Sequence, residues 1–216
     1  MSTAAERRLV LASNNAKKLK ELQALLGATG VTLVAQGQLG ISEADEPHST
    51  FVENALAKAR HAAAASGLPA LADDSGLCVD ALGGHPGVQS AHFAAIDRDP
   101  AEDREAHRSR QDAANNTRLL TDLAGAGSRR ARFVCTLVAV RSADDPEPLI
   151  AFGRWEGEIR PAAAGSGGFG YDPLMQIPAL GASVAELDAE VKNRHSHRAL
   201  ASAQMVKLMT EVWGLG

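Results

Sequence analysis

In the stretch ALADDSGLCVDALGG, two carboxylates, Asp73 and Asp74, follow an apolar run, Leu68 to Ala72, that reads as a buried strand. Adjacent like charges repel, and an uncompensated carboxylate is costly to bury, so a cation or good solvation is expected beside them. Ligands of open α/β sheets bind beyond the carboxyl ends of the strands. A carboxylate pair placed there suits a hard divalent cation such as Mg²⁺. One of the two can instead take a proton from water. The plainer reading is a turn, which Asp, Ser and Gly all favour.

Three further clusters carry polar chemistry. SNNAKK (Ser13–Lys18) stands between a strand and a helix. Backbone N–H groups and the helix dipole favour phosphate at such a junction. The two lysines oppose that dipole, a local cost that points to an anion nearby. GSGGFGYDP (Gly165–Pro173) is a glycine-rich loop that lets backbone approach a ligand. Phe169 or Tyr171 is placed to stack on a planar base. KNRHSHR (Lys192–Arg198) crowds basic groups at the start of the last helix. On a helix, i,i+2 spacing points His195 and His197 apart, against a metal pair. An acidic loop adds Glu43, Asp45 and Glu46. Each cluster has a simpler explanation: a capped helix, an anchored loop, a solvated charged face. Together they fit polyphosphate held by cations, Mg²⁺ held by carboxylates, and a base held by an aromatic loop. That is nucleoside triphosphate chemistry, without the GxxxxGK[ST] of a P-loop or the GxGxxG of a dinucleotide fold.

The elements that must position these clusters follow from periodicity. Arg8–Ala12 reads as a strand, and Ser13, Asn14 and Asn15 are N-cap residues. Leucines 19, 22, 25 and 26 recur at helical spacing, and Gly27 stops the run. Val31–Ala35 is a strand. Thr50 and Glu53 fit a capping box that opens an Ala-rich helix through about Ala65, broken by Gly67 and Pro69. The order strand, helix, strand, helix, strand argues for an α/β layered architecture. A helix from Glu102 to about Leu123, strands at Ala131–Val140 and Leu149–Ile159 (an antiparallel element), and one final helix from about Asn193 to Val212 complete the pattern. No repeat or linker interrupts residues 1–216, so a single domain with two lobes is expected.

Composition narrows the class. The 216 residues carry a formal net charge of −4, which excludes a general attraction to nucleic acid or an anionic membrane. The two cysteines, Cys78 and Cys135, form no CxxC pair and suit a reducing cytoplasm. No signal peptide is read at the N-terminus, and no apolar run approaches the ~20 residues needed to cross a bilayer.

The motifs LVLASNNAKKLKEL, FVENALAKAR, ALADDSGLCVDALGGHPG, ARFVCTLV, GGFGYDP and KNRHSHR occur in that order. Together they resemble the inosine/xanthosine triphosphate pyrophosphatase family from about Leu9 to Leu208. The resemblance implies an elongated two-lobed α/β fold around a central mixed sheet flanked by helices. It also implies a homodimer, Mg²⁺ dependence, and hydrolysis of ITP, dITP and XTP to monophosphate and pyrophosphate. By motif, Ser13, Asn14, Asn15, Ala16, Lys17 and Lys18 contact the triphosphate. Asp74 is the general base and a metal ligand, Ser75 touches substrate, and Asp73 helps position the metal. Glu46, with Glu43 as competitor, completes the metal site. Phe169, Gly170, Tyr171 and Asp172 line the base and sugar pocket. Lys192 reaches the phosphates, and His197 and Arg198 read the base. His92 stands where the family often has Arg. Arg198 donating to a 6-oxo group would leave a mismatched donor against adenine. Two rival readings are a Maf-like pyrophosphatase for modified pyrimidine nucleotides and a nucleotide-binding module without catalysis. The FGYD and SHR motifs favour the purine enzyme, and the intact Asp73-Asp74-Ser75 with both lysines favours catalysis.

Overall fold

The computed structural model describes residues 7–97, 99 and 101–215; the reading of the first six residues as no leader lies outside them. Strand β1 (Arg7–Leu11) leads through the Asn15 N-cap into α1 (Ala16–Leu25), and β2 (Val31–Ala35) returns beside β1. The β1–β2 pairing is parallel, in register from Arg7↔Val31 to Leu11↔Ala35. Helix α2 (Phe51–Ser66) starts where the Thr50 hydroxyl accepts from the Glu53 N–H, and it ends at Gly67. Strand β3 (Ala70–Val79) pairs parallel with β1. Then come α3 (Arg104–Asp122), β4 (Arg130–Val140), β5 (Leu149–Ile159) and the short strands β6 (Met175–Ile177) and β7 (Ala182–Ser183). Helices α4 (Ala189–His195) and α5 (His197–Trp213) close the order. One mixed sheet runs β2-β1-β3-β4-β5-β6-β7, with β6 antiparallel to both β5 and β7. The fold class is α/β.

The chain forms two compact units. The first takes in the described residues up to Asp74, Cys135–Arg154 and those from His195 onward. The second holds Ser75–Val134 and Trp155–Arg194. Side-chain alternation gives the first unit two cores. Leu9, Leu11, Leu71, Leu137 and Ala151 pack on Leu22 of α1 and on Met205 and Met209 of α5. Val10, Ala70, Ala72 and Val138 pack on Ala55, Ala59 and Ala62 of α2. Small side chains on α2 let that helix lie close to its strands. Gly153 of β5 plays a matching part for α5, since a Cβ there would collide with the His197 carbonyl. The second unit packs Leu77, Phe133, Trp155, Tyr171 and Met175 with Leu119 and Leu123 of α3.

Two expectations are corrected. The strand does not stop at Ala72 but carries through Asp73, Asp74 and Ser75 to Val79, so the carboxylates lie inside it and form no turn. The last helix is not continuous. Ser196 takes an extended conformation, and its hydroxyl caps α5 by accepting from the Ala199 N–H at 3.1 Å. A serine that bonds backbone locally competes with helix continuation, which accounts for the break. Strands β6 and β7 are too short to show a period in sequence.

Candidate functional site

Because strand side chains alternate, Asp73 and Asp74 leave β3 on opposite faces, and their adjacency in sequence is not adjacency of charge. Asp73 shares the face of Leu71, toward α1 and α5. Its Oδ1 accepts from Lys18 Nζ at 2.8 Å, and its Oδ2 from Arg198 Nε at 2.7 Å. Burial alone would raise its pKa, but the Arg198 guanidinium and the Lys18 ammonium outweigh that and hold it well below the ordinary carboxylate value. Arg198 is itself buried at 2% exposure, and its second contact is Glu21 of α1 at 2.5 Å. Lys18 and Glu21 are three residues apart, so one face of α1 supplies a cation to Asp73 and an anion to Arg198.

Asp74 shares the face of Ala72, toward α2. Its Oδ1 accepts from Lys58 Nζ at 2.9 Å, and the same ammonium donates to Glu46 Oε2 at 3.0 Å. A third Lys58 bond goes to the Asp73 carbonyl at 3.2 Å. Asp74 Oδ2 is buried and without a hydrogen-bond partner among the described residues. Burial pushes the Asp74 carboxyl up to about 6; Lys58 opposes the rise and Glu46 adds to it. A carboxylate poised near neutrality can deprotonate water at working pH.

The remaining residues read by motif divide between the units. In the first unit, the Asn15 side chain accepts from the N–H groups of Lys17 and Lys18, so those two donors are capped by the protein itself. Ser13 Oγ accepts from the Asn15 N–H. Asn14 holds Glu43, whereas Lys58 joins Glu46 to Asp74, which separates the two candidates in the acidic loop. His197 and Arg198 form the first turn of α5. In the second unit, Ser75 continues β3. Lys192 Nζ donates to Asp172 Oδ2 at 2.9 Å and lies 4.7 Å from the centre of the Phe169 ring. Asp172 Oδ2 also accepts from the Phe169 N–H. Tyr171 is buried, with its hydroxyl donating to the Ser90 carbonyl, so of the two aromatics only Phe169 offers a partly open ring.

Lys58, Glu21, Asp112 and Asn116 were not singled out by sequence. Lys58 had one readable signal. It stands three residues after Ala55 and four before Ala62, so a charge falls beside the buried stripe of an otherwise Ala-rich helix.

No group of three His, Cys, Asp or Glu side chains is placed to hold a metal among the described residues. Mg²⁺ typically takes one or two carboxylates and completes its shell with water and substrate phosphate. The unpartnered Asp74 Oδ2 and the partly exposed Glu46 carboxylate fit that need. Lys58 touches both, so replacing its charge should move Asp74. Lys58→Met is expected to shift the acid limb of a kcat/KM–pH profile upward from near pH 6, because it removes the cation that lowers the Asp74 pKa. An unmoved limb would dissociate Lys58 from the titrating group.

No helix among the described residues is long and apolar enough to cross a membrane. Residues 9–208 match the model of the Ham1 family. The chain is 74% identical over 212 residues to a dITP/XTP pyrophosphatase of Leptothrix cholodnii, covering 96% of this chain and 99% of that protein. It is 68% identical over 206 residues to one of Methylibium petroleiphilum, covering 95% and 99%. A solved HAM1 protein from Coxiella burnetii superimposes with a TM-score of 0.83 at 41% identity, covering 95% of this chain and 99% of that one. With a family match over nearly all of its length and relatives this similar, the chain belongs to the Ham1 family.

Proposed function

We propose that this chain is a nucleoside triphosphate pyrophosphatase that hydrolyses the deaminated purine nucleotides ITP, dITP and XTP to monophosphate and pyrophosphate. The observation that carries the chemistry is Asp74, a carboxylate raised to about 6 with one buried oxygen left without a partner among the described residues. The names of the similar proteins support the substrate class. Asp74 accepts the proton of a water whose oxygen attacks the α-phosphorus. The bond from that phosphorus to the bridging oxygen breaks, and pyrophosphate leaves. Lys58 holds Asp74 in place and keeps enough of it ionised to act as base. Asp74 and Glu46 would hold Mg²⁺, which would neutralise charge on the phosphates. Ser13, Asn14, Asn15, Ala16, Lys17 and Lys18 contact the triphosphate, as do Ser75 and Lys192. Phe169, Gly170, Tyr171 and Asp172 hold the base and sugar, with Phe169 as the stacking ring. His197 and Arg198 read the base, with Arg198 oriented by Asp73 and Glu21. The enzyme works as a single domain and a homodimer in the cytoplasm, without nucleic acid or membrane partners.

Pyrophosphate release should be strong from ITP and XTP, weak from ATP and GTP, and abolished when EDTA removes the metal. Orthophosphate as the sole product, or equal turnover of ATP, would overturn the reading.

A further inference from the structure

Helix α3 belongs to the second unit and carries none of the residues read by motif, yet two of its side chains grip the loop that offers Phe169. Asp112 Oδ2 accepts from the Gly170 N–H at 2.9 Å, and Asn116 Nδ2 donates to the Gly170 carbonyl at 3.0 Å. The two side chains are four residues apart, which puts them on one face of the helix about 5–6 Å from each other. The N–H belongs to the peptide joining Phe169 to Gly170, and the carbonyl to the peptide joining Gly170 to Tyr171. Holding both peptide planes fixes φ and ψ of the residue between them.

That residue is a soft joint of the loop. Gly170 sits at φ +61°, the left-handed region glycine enters freely, and its missing side chain leaves both peptides easy to turn. Neighbouring residues are already anchored. The Phe169 N–H donates to Asp172, Lys192 lies over the Phe169 ring, and the Tyr171 hydroxyl donates to Ser90. Gly170 has no side chain with which to be held, so its control has to come from outside the loop.

We propose that Asp112 and Asn116 are positioning residues for purine selectivity, a clamp on Gly170 that fixes the direction of the Phe169 ring and hence which base it accepts. The inference rests on the reading of Phe169–Asp172 as the base-binding loop. A misplacement of about 1 Å can cost on the order of 100-fold in rate, so a loosened ring should act first on base recognition.

The test measures kcat and KM for ITP, the ITP:GTP ratio of kcat/KM, and Tm, in Asp112→Leu, Asp112→Asn, Asn116→Asp and Phe169→Ala. Asn116→Asp is nearly isosteric and sets an acceptor against the Gly170 carbonyl. Both Asp112→Leu and Asn116→Asp are expected to raise KM for ITP and lower the ITP:GTP ratio roughly tenfold, with kcat within about twofold. Asp112→Asn keeps an acceptor for the Gly170 N–H and should restore both values. A lower Tm with KM and ratio unchanged would reduce the pair to ordinary packing and overturn the inference. Should Asp112→Leu fail to fold, Asn116→Asp decides. Phe169→Ala separates the two layers. If it shifts KM and ratio while the clamp variants do not, only the clamp falls. If it shifts neither, the base-loop reading falls and the clamp with it.

Discussion

Asp74→Asn is expected to lower kcat by about 10²–10⁴-fold, the usual contribution of a positioned general base, with little change in Tm. The substitution is nearly isosteric and keeps an oxygen that can accept from Lys58. It removes a buried charge, which is favourable, and leaves Lys58 with Glu46 as its remaining carboxylate side chain, which is not. These changes oppose each other in stability, whereas in catalysis nothing replaces the lost base. The pH dependence of stability gives a second check. Because burial raises the Asp74 pKa to about 6, the protonated form is favoured by folding. That contribution is complete below the ordinary carboxylate pKa and is lost as pH rises through about 6. Wild type should therefore lose stability across that window relative to Asp74→Asn, as thermal melts from pH 4 to 7 would detect. Near-full turnover by Asp74→Asn would remove Asp74 from the mechanism.

Asp73→Asn should act in the opposite way, as a stability variant. Asp73 is 1% exposed and takes one bond from Lys18 and one from the fully buried Arg198. Breaking a buried ion pair by removing one partner costs about 3–5 kcal/mol, because the other charge stays in the interior uncompensated. For a chain of this size that lowers Tm on the order of 10 °C. The sign with pH follows from the depressed Asp73 pKa. The stabilisation is present above the ordinary carboxylate pKa and disappears as pH falls through the lower folded value, so the gap between wild type and variant should close in strong acid. A Tm within 2–3 °C of wild type near pH 7, about the shift of 1 kcal/mol, would mean that Arg198 and Lys18 are compensated elsewhere. The neighbouring carboxylates thus divide the labour, Asp73 holding Lys18 and Arg198 in place and Asp74 facing the water.

That division is the part of the site least legible in sequence. DDSG reads equally as a turn, since every residue in it favours turns, and only burial of Leu77, Cys78 and Val79 carries the strand onward. Once the strand is known, alternation alone separates the two carboxylates. The elements with strong local signals stood out: the cap residues Ser13 to Asn15, of which Asn15 serves, the Thr50 cap of the Ala-rich second helix, the Val31–Ala35 strand and the 3.6-residue period of the first helix. What sequence could not reveal depends on contacts between distant segments. Lys58 reaches Asp74 sixteen residues away, Arg198 reaches Asp73 at a separation of 125, and Asp112 reaches Gly170 at 58. The break at Ser196 was readable in principle, as a serine able to cap a new helix, but the basic run on both sides masked it.

The proposed reaction has water attack the α-phosphorus. Hydrolysis of ITP in H₂¹⁸O, with products resolved by mass, tests this directly. The account predicts one ¹⁸O in the inosine monophosphate and none in the pyrophosphate. Label in the pyrophosphate would place the attack at the β-phosphorus and contradict it.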